Sequence, residues 1–501
     1  MQRKAMAIDR HTLLTPAAVA AVDRRAIESG IDGPGLMRRA GASVAAAALA
    51  HFPDARRAII LCGPGNNGGD GHVVARLLDA SGIPTFRFGF SPKSGTDAAG
   101  AFADFPGLLP PLPAYTPEPG DLVVDALFGA GLDRPVEAEV ADVIARIEEA
   151  GVPVLAVDLP SGLSGLTGRP TGAVFRATRT VTFAALKPGH LLMPGRELCG
   201  EVEIADIGVP ARMIASDDPL WRNHPRLFDA ALPRPGPDAH KYARGHLVVF
   251  SGPLISGGAA RLAATAGLHA GAGLVTLATP AAAIMAQATH LTAVMQRRID
   301  NVDDLAGWLE DPRLSAFVIG PGFGSSDTCR AFVQAIASSG RPAVLDADAV
   351  TAFAGEAGTL GRMFSGDCRL VVTPHEGEFR RLLPDLAADD TVSKVDRARR
   401  AAAALNGVVV YKGPDTVIAA PDGRAAINAD APPWLATAGS GDVLAGMIGG
   451  LVAQRMPVFE AALAGVALHG KAGHLAGPGS SAEDIVARVG AAVSDATAPT
   501  G

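Results

Sequence analysis

The sequence has few of the features that mark secreted or nucleic-acid-binding proteins. Only four cysteines occur in 501 residues, with neither CxxC metal spacing nor the density of a disulfide framework, which suits a reducing compartment. No run of lysine or arginine stands out among 44 basic and 51 acidic residues, so no face is suited to a polyanion. We therefore expect small-molecule substrates and no nucleic acid.

Long apolar segments of the kind that cross a membrane are also scarce. Residues 1–15 carry charges without a following apolar stretch and do not resemble a secretory signal. No charged residue lies between Arg261 and Arg297, but the Gly-Ala-Gly of residues 271–273 and Pro280 predict a buried helix, a turn and a buried strand instead. We expect a cytoplasmic protein that does not bind membranes.

Small aliphatic residues dominate the composition. Hydrophobic residues make up 48% of the chain, charged residues 19% and aromatic residues only 5%, a balance that favours helix-covered parallel sheets over β-sandwiches. A chain of 501 residues exceeds the size of one hydrophobic core. We predict an α/β protein of two domains.

Short apolar runs bounded by glycine, proline or serine predict the strands. Those of the first domain are residues 58–62, 84–90, 121–127, 152–158 and 178–184, with a helix over 73–80. The pattern fails over the proline-rich residues 210–240. The second domain's strands are residues 246–250, 273–278, 317–319, 343–345, 370–373 and 408–411. We place the domains at residues 1–225 and 236–501.

A glycine-rich turn follows the first predicted strand. Residues 63–68 satisfy the GxGxxG pattern of dinucleotide-binding proteins, between a strand and a helix. A dehydrogenase also needs an acidic residue at the end of the next strand to hold the ribose, and that strand contains Arg87 and no carboxylate. The turn by itself therefore does not indicate a dehydrogenase.

Four ordered motifs connect the first domain with a known family. They read GPGNNGGDG at residues 63–71, VDALFGAG at 124–131, DLPSG at 158–162 and LKPG at 186–189. Together they resemble the NAD(P)H-hydrate epimerases of the YjeF N-terminal type, over roughly the first 210 residues. The resemblance implies a Rossmann-like three-layer domain that interconverts the R and S forms of hydrated NADH and NADPH.

Oxygen-bearing side chains in these motifs predict a cation site. Asn67, Asp125 and Ser161 offer hard oxygen ligands that suit an alkali or alkaline-earth cation. The resemblance makes this ion potassium. Such residues are also common in ordinary turns, so the prediction depends on their joint occurrence at strand ends.

The same resemblance implies the epimerase substrate site. Asp158 is the implied acid/base at the nicotinamide ring, and we expect partial burial to shift such a carboxyl towards neutrality. A simple helix cap is the alternative for Asp158. The implied substrate-binding residues are Asn66, Asn67, Gly68, Gly69, Asp70, Gly129, Ala130, Gly131, Leu132, Asp133, Arg134, Pro135 and Asp158.

A second glycine-rich helix start lies near the end of the chain. Residues 436–446 read ATAGSGDVLAG, which places Asp442 just inside a predicted helix that runs to about Leu451. Free amides there can hold phosphate charge, and Asp442 can take a proton from a hydroxyl that attacks the phosphate. No P-loop motif occurs, and this anion-hole arrangement is that of the ribokinase-like fold. A carboxylate that only stabilises the helix dipole is the alternative.

Seven further motifs extend this pattern. They read HK at residues 240–241, SGGAA at 256–260, GAGLV at 271–275, IGPGFG at 319–324, LDADA at 345–349, TPHEGE at 373–378 and KG at 412–413. In this order they resemble the NAD(P)H-hydrate dehydratases, from about residue 238 to the end. The resemblance implies a ribokinase-like α/β domain with ADP as co-substrate and a magnesium ion. The implied hydrate-lining residues are Ala259, Gly322, Gly324, His375 and Asp442, and the implied ADP contacts are Lys412, Gly413, Pro414, Asp415, Thr416 and Gly441.

The chain departs from the dehydratase pattern at two places. Glu376 stands where proline is usual, which bears on the electrostatics around His375. Ala-Gly-Ser at residues 438–440 stands where Gly-Gly-Thr is usual. Because serine keeps the hydroxyl and alanine remains small, we expect activity to survive.

Both resemblances together predict repair of hydrated NADH and NADPH. The first domain would convert the R hydrate to the S form, and the second would dehydrate the S form with ADP, releasing AMP and phosphate. Two alternatives stay open: a second domain that phosphorylates a small alcohol, and a first domain that only binds a nucleotide or a partner. We also expect a homo-oligomer.

Overall fold

The structure is a computed structural model that describes residues 11–214 and 218–498. It divides into two units, Met1–Trp221 and Arg222–Gly501. Both units alternate strands and helices around sheets with parallel pairing. The prediction of an α/β protein is confirmed.

The first unit has seven helices and six sheet strands among its described residues. The helices are α1 Pro16–Glu28, α2 Gly33–His51, α3 Asn66–Ala80, α4 Asp97–Ala103, α5 Ala138–Ala150, α6 Gly195–Leu198 and α7 Ala211–Ile214. The strands are β1 Arg57–Cys62, β2 Thr85–Gly89, β3 Asp121–Ala126, β4 Val154–Val157, β5 Arg179–Phe183 and β6 Glu201–Ala205. A further short strand, β7 Leu220–Arg222, contains the division between the units.

Alternate side chains of β1 show why this unit has three layers. Ile60 and Cys62 pack in a core with residues of α2 and α3, whereas Ile59 and Leu61 pack in a second core with residues of α5. Successive strand residues point to opposite faces, so an apolar run of this kind requires helices on both sides.

The strand order of the first sheet indicates where a ligand crevice lies. The order is β2-β1-β3-β4-β5-β6, and all five pairings are parallel. The chain runs from β1 outwards to β2 and then back to β3 on the other side, so the direction of winding reverses between β1 and β3. Open α/β sheets bind ligands beyond the carboxyl ends of the strands at such a switch point.

The second unit repeats this layer scheme with more elements. Its helices are α8 Gly257–His269, α9 Ile284–Ala288, α10 Val302–Leu309, α11 Asp327–Ser338, α12 Ala347–Thr351, α13 Ala357–Met363, α14 Glu376–Leu382, α15 Pro384–Ala388, α16 Lys394–Leu405, α17 Ser440–Ala453, α18 Val458–Ala476 and α19 Ala482–Thr497. Its strands are β8 His246–Phe250, β9 Leu274–Thr279, β10 Met295–Arg298, β11 Ala316–Ile319, β12 Ala343–Leu345, β13 Leu370–Val372, β14 Val408–Tyr411, β15 Thr416–Ala419 and β16 Ala425–Asn428.

The second sheet is parallel except at one side. The strands lie in the order β10-β9-β8-β11-β12-β13-β14-β15-β16, with β14, β15 and β16 paired antiparallel. The direction of winding reverses between β8 and β11, which brings the loops after these two strands together. The predicted hydrate-lining and ADP-binding segments therefore follow strands that end at the same sheet edge.

The structure corrects several sequence-based boundaries. The helix predicted to begin at residue 73 begins at Asn66, so much of the glycine-rich turn is the first turns of α3. Strands β6, β7, β10, β15 and β16 were missed. The uncharged segment after Arg261 forms the end of α8, then β9, as predicted. Within the described ranges, no helix is both long and apolar enough to span a membrane.

A close helix contact in the second unit yields a stability prediction. A Cβ on Gly446 of α17 would lie 2.0 Å from the Ala263 carbonyl oxygen of α8, so these helices cross at a distance that only glycine permits. Gly446→Ala should lower the free energy of unfolding by about 1–3 kcal/mol, because overpacking exceeds the gain from removing glycine. Urea unfolding followed by tryptophan fluorescence measures this.

Gly307 of α10 is the matched control for that substitution. It is also helical, but a Cβ there would meet no atom within 4 Å. Gly307→Ala should raise the free energy of unfolding by roughly 0.5–1 kcal/mol. Equal effects of the two substitutions would contradict the packing explanation.

Candidate active sites

A cavity of about 650 Å³ lies at the β1/β3 switch point of the first unit. This volume suits a small-molecule ligand. The loop after β1, the loop after β3 and helices α1 and α2 all contribute to its wall. The predicted substrate-binding residues on its lining are Asn66, Asn67, Asp70, Gly129, Ala130, Gly131, Leu132, Asp133, Arg134 and Asp158.

Three predicted residues are not on that lining. Gly68 faces the loop after β1, since a Cβ there would lie 1.8 Å from the Gly63 carbonyl oxygen. A Cβ on Gly69 would lie 2.5 Å from the terminal methyl carbon of Met37. Pro135 packs beside Gly172. The two glycines therefore have a packing role that is independent of ligand binding.

Asp158 is the centre of a hydrogen-bond network in the cavity. Lys187 Nζ lies 2.5 Å from Asp158 Oδ1, and Thr182 Oγ1 donates to the same oxygen at 2.9 Å. The Ala130 amide donates to Asp158 Oδ2 at 2.9 Å. The Lys187 side chain is only 1% exposed. This buried ammonium fixes the Asp158 carboxylate in one orientation.

The charge state of Asp158 differs from the expectation. Burial opposes its ionisation, but the Lys187 ammonium and the hydrogen bonds from Lys187 and Ala130 lower the pKa to about 2. The prediction that burial shifts this carboxyl towards neutrality is therefore wrong, because the motifs did not indicate that Lys187 of the LKPG segment pairs with Asp158. Asp158 is an anion at neutral pH.

The backbone at Asp158 is also unusual. Its φ is +68°, in the left-handed region that residues with a side chain rarely occupy. His190 Nε2 lies 2.9 Å from the Asp158 carbonyl oxygen and helps to hold this conformation. No helix begins here, so the helix-cap alternative is wrong.

The pKa values of two other carboxyl groups on the cavity lining are shifted in the opposite direction, upwards. Burial, with the nearby charges of Asp158 and Asp23, raises the pKa of Asp70 well above its usual range. The pKa of Asp23 on α1 is raised mainly by burial; the Lys187 ammonium opposes this rise and the Asp158 charge adds to it. The cavity thus holds one firmly ionised carboxylate and two carboxyls that retain protons more readily.

The predicted cation ligands lie beneath and beside the cavity. Asp125 is fully buried, and its carboxylate accepts hydrogen bonds of 2.6 Å each from the amide and hydroxyl of Ser161. Asn67 lies on the lining, and its buried Nδ2 atom has no hydrogen-bond partner among the described residues. Burial raises the pKa of Asp125 to about 6, although the Ser161 hydrogen bonds oppose this rise.

In the second unit, Lys412 is paired with the Asp346 carboxylate of the LDADA motif. Lys412 Nζ lies 2.7 Å from Asp346 Oδ1 and 3.7 Å from Glu378 Oε2. Thr373 donates to Asp346 Oδ1 at 2.7 Å. The Asp346 carboxylate thus joins the loops after β12, β13 and β14.

Asp442 lies beside this ion pair at the start of α17. The residue before the helix is Gly439, whose φ is +90°. Because glycine has no side chain, no side chain caps the first amides of the helix. A Cβ on Gly441 would lie 3.4 Å from Lys412 Nζ. Burial, with the like charge of Asp346, raises the pKa of Asp442 to about 7, although Lys412 opposes this rise. The group is therefore suited to proton transfer near neutral pH.

The glycine turn after β11 faces the start of α8. Ser256 Oγ donates to the Gly322 carbonyl oxygen at 2.6 Å. The Gly324 amide donates to Asp348 Oδ2 at 2.9 Å. Ala259 lies in the first turn of α8, just after Ser256. These contacts hold Gly322 and Gly324 close to the start of α8, where Ala259 lies, at the β8/β11 switch point.

His375 caps α14. Its Nδ1 accepts hydrogen bonds from the amides of Gly377 at 2.9 Å and Glu378 at 3.4 Å. The neighbouring Glu376 carboxylate turns away, to the Tyr411 hydroxyl and to Arg380. The substitution of Glu376 for proline therefore acts on Tyr411 and not on the capping nitrogen of His375.

The predicted ADP segment forms a turn that leads into β15. Thr416 Oγ1 donates to the Gly413 carbonyl oxygen at 2.8 Å. Lys394, which the sequence analysis missed, lies 2.5 Å from Asp415 Oδ1. In the Ala-Gly-Ser segment of residues 438–440, the Ser440 hydroxyl lies 3.2 Å from His469 Nε2. The serine that stands where threonine is usual therefore keeps a polar contact.

The fold and these sites define a two-domain α/β enzyme, with a carboxylate–lysine network at the carboxyl ends of parallel strands in each unit. Two family models match the chain. One is described as the YjeF-related protein N-terminus and matches residues 34–189, and the other is described as NAD(P)H-hydrate dehydratase and matches residues 247–485.

Relatives match nearly the whole chain. A Moorella thermoacetica protein is 38% identical, covering 92% of this chain and 92% of its own, and a Coxiella burnetii protein is 36% identical, covering 90% and 92%. Both are named bifunctional NAD(P)H-hydrate repair enzyme Nnr. A solved Bacillus subtilis ADP/ATP-dependent NAD(P)H-hydrate dehydratase is 28% identical, covering 56% of this chain and 100% of its own, with a TM-score of 0.46. The chain belongs to the bifunctional NAD(P)H-hydrate repair enzymes, which confirms the sequence prediction.

Proposed function

We propose that this chain repairs hydrated NADH and NADPH. The first unit interconverts the R and S hydrates, and the second converts the S hydrate to NAD(P)H with ADP, releasing AMP and phosphate. We assign the epimerase to residues 1–225 and the dehydratase to residues 236–501. The division at Trp221 and Arg222 supports these boundaries. A cytoplasmic location and a homo-oligomer are part of the same proposal.

The observation that carries the proposal is Asp442, a carboxyl with a pKa of about 7 at a helix start without a side-chain cap. The hydroxyl on C6 of the hydrate attacks the β-phosphate of ADP while Asp442 accepts its proton, and AMP leaves. Phosphate then leaves C6 as the ring nitrogen lone pair pushes, and loss of a C5 proton gives NAD(P)H. The α17 amides and Lys412 stabilise the charge that develops on phosphate.

The remaining dehydratase residues bind and orient the two substrates. We assign ADP contacts to Gly441 and to residues 412–416, and hydrate contacts to Ala259, Gly322, Gly324 and His375. A magnesium ion bound with the nucleotide would neutralise phosphate charge. Lys394 supports this segment because its ammonium holds Asp415 beside Gly413.

In the first unit we propose that Asp158 acts at the reacting nicotinamide ring of the hydrate. Its carboxylate is ionised and oriented by Lys187. We assign binding of the rest of the hydrate to Asn66, Asn67, Asp70 and residues 129–134, which lie on the cavity lining. Loss of the hydroxyl from C6 leaves a cationic ring, and an anion fixed beside that ring stabilises the cation.

We assign Asn67, Asp125 and Ser161 to a potassium ion. Asp125 is buried with hydrogen-bond donors but without a cationic side chain in contact among the described residues. A buried anion of this kind is costly unless a cation compensates its charge. The ion would supply that charge and fix the loops that bear Asn67 and Ser161.

Exchange of potassium for choline at constant ionic strength should lower both the epimerase rate and the melting temperature of the first unit. Potassium at about 100 times its Kd stabilises the folded state by about 2.7 kcal/mol. Asp125→Asn should abolish the difference between the two salts. A wild-type rate and melting temperature that are the same in both salts would contradict the cation site.

The dehydratase should lose activity as the pH falls through about 7. Protonation of Asp442 removes the base, so kcat/KM should fall about tenfold per pH unit on the acid side. AMP formation is the suitable readout because it does not depend on the stability of the reduced cofactor. A profile that is flat between about pH 5.5 and 8 would contradict the role of Asp442.

Phosphorus NMR distinguishes this function from a ribokinase-like alcohol kinase. With the S hydrate and ADP, one AMP and one phosphate should appear for each reduced nicotinamide. A stable phosphate ester as the end product would instead identify a kinase.

A further inference from the structure

We propose that Asp23, on helix α1, is the proton donor to the C6 oxygen of the hydrate in the first unit. This inference rests on the proposed epimerase function and adds a second catalytic residue to Asp158. No sequence motif pointed to it, because Asp23 lies outside the four motifs that identify the domain.

Helix α1 forms one wall of the cavity. Six of its residues lie on the lining: Pro16, Val19, Ala20, Val22, Asp23 and Ile27. Asp23 is the only one of the six with a polar side chain. Val22 is buried in the core beneath α1 and fixes the position of this wall. Any ligand in the cavity therefore meets a single carboxyl group on the α1 side.

The Asp23 carboxyl is available for a ligand. Within residues 11–214, no hydrogen bond or ion pair engages it, whereas Asp158 is committed to Lys187, Thr182 and the Ala130 amide. Asp70 shares the cavity but is only 8% exposed. Asp23 is half-buried, so it can be reprotonated from solvent after each turnover.

Burial favours a proton on Asp23. Burial is the main cause of its raised pKa, and the Asp158 charge adds to the effect while Lys187 opposes it. The other charged groups on the cavity lining are Asp70, Asp97, Asp133 and Arg134. Asp158 stays ionised and Asp23 retains a proton more readily than an ordinary aspartate, so the two can serve as anion and acid, as in sites that cleave a C–O bond through a cationic ring.

The step balances without a further reactant. The C6–O bond breaks, the oxygen takes the Asp23 proton and leaves as water, and the ring nitrogen lone pair forms the N1–C6 double bond. Asp158 stabilises the cationic ring. A water molecule then adds to the other face of C6 and releases a proton to solvent, and Asp23 regains its proton from solvent. Each conversion therefore exchanges the C6 oxygen with solvent.

Three variants of the full-length protein test this role, with the R hydrate as substrate. Asp23→Asn should lower the epimerase kcat by about 10²-fold or more, and Asp23→Glu should recover much of it because the acid is retained. Glu28→Gln changes an exposed residue at the end of the same helix and should have no effect. The ADP-dependent dehydration of the S hydrate should stay unchanged in all three.

The pH profile and isotope content separate a catalytic role from a structural one. Wild-type activity should fall as the pH rises and Asp23 loses its proton, and the residual activity of Asp23→Asn should lack this limb. Conversion in ¹⁸O-labelled water should place one labelled oxygen in each product molecule.

The failures of this inference and of the epimerase assignment are distinguishable. Absence of epimerisation by the wild type would contradict the proposed epimerase function itself. A wild-type rate in Asp23→Asn, or no labelled oxygen in the wild-type product, would overturn the role of Asp23 while leaving the epimerase intact. If the asparagine variant does not fold, the glutamate variant decides: a shifted alkaline limb supports the role, and an unshifted profile overturns it.

Discussion

Asp442→Asn should abolish nearly all ADP-dependent dehydration, with a fall in kcat of about 10²–10⁴-fold. Asparagine has almost the same shape but cannot accept the proton of the attacking C6 hydroxyl. ADP binding should not weaken, because the substitution removes a negative charge close to the phosphates. Steady-state AMP formation and isothermal titration with ADP measure the two quantities separately.

Asp303→Asn is the matched control for Asp442→Asn. Asp303 is likewise an acidic residue in the first turn of a helix, α10, and it is exposed. Loss of such a charge costs about 0.3–1 kcal/mol of stability through the helix dipole and should leave the reaction unchanged. If Asp442→Asn lowers stability by this amount but keeps a wild-type kcat, Asp442 is only a dipole-stabilising residue.

Asp158→Asn should lower epimerisation by a similar factor, about 10²–10⁴-fold. The amide removes the anion beside the reacting ring, and it leaves the Lys187 ammonium, only 1% exposed, without its partner. Conversion of the R hydrate to the S form, followed by chiral chromatography, measures the rate. Dehydration of the S hydrate by the same variant should be normal.

Because the unpaired lysine also threatens stability, the variant needs a control of the same chemical type. Asp79→Asn changes an exposed residue near the end of α3 and should leave both the melting temperature and the epimerase rate unchanged. An epimerase rate in Asp158→Asn equal to that of wild type would favour a first unit that binds a nucleotide or a partner without catalysis.

Local patterns in the sequence were sufficient to predict the strands that precede the motifs. The apolar runs before Gly63, Leu127 and Asp158 gave β1, β3 and β4 to within two residues, because a strand buried on both faces needs an uninterrupted apolar run. Because of the glycines in residues 63–71, the start of α3 was predicted too late in the chain. Gly68, Gly69 and Gly71 are helical because they pack closely against neighbouring segments, which overrides their low helix propensity.

Long-range pairing could not be predicted from such patterns. Lys187 is 29 residues from Asp158, and Lys412 is 66 residues from Asp346. Each pair forms only because parallel strands bring their ends to one sheet edge. Charge states follow from these contacts, which is why the sequence placed Asp158 at the site but gave it the wrong protonation. The sequence did not indicate Asp23 either, because Asp23 reaches the cavity only through the packing of α1.

The two-activity account is tested most directly by purified R and S hydrates, each incubated with the wild-type protein, with and without ADP. Recovery of reduced-nicotinamide absorbance is the readout. The account predicts no recovery without ADP, and complete recovery from either hydrate with ADP, because the R form is first converted to the S form. Recovery from the S hydrate alone would contradict the epimerase, and no ADP-dependent recovery from either would contradict the whole account.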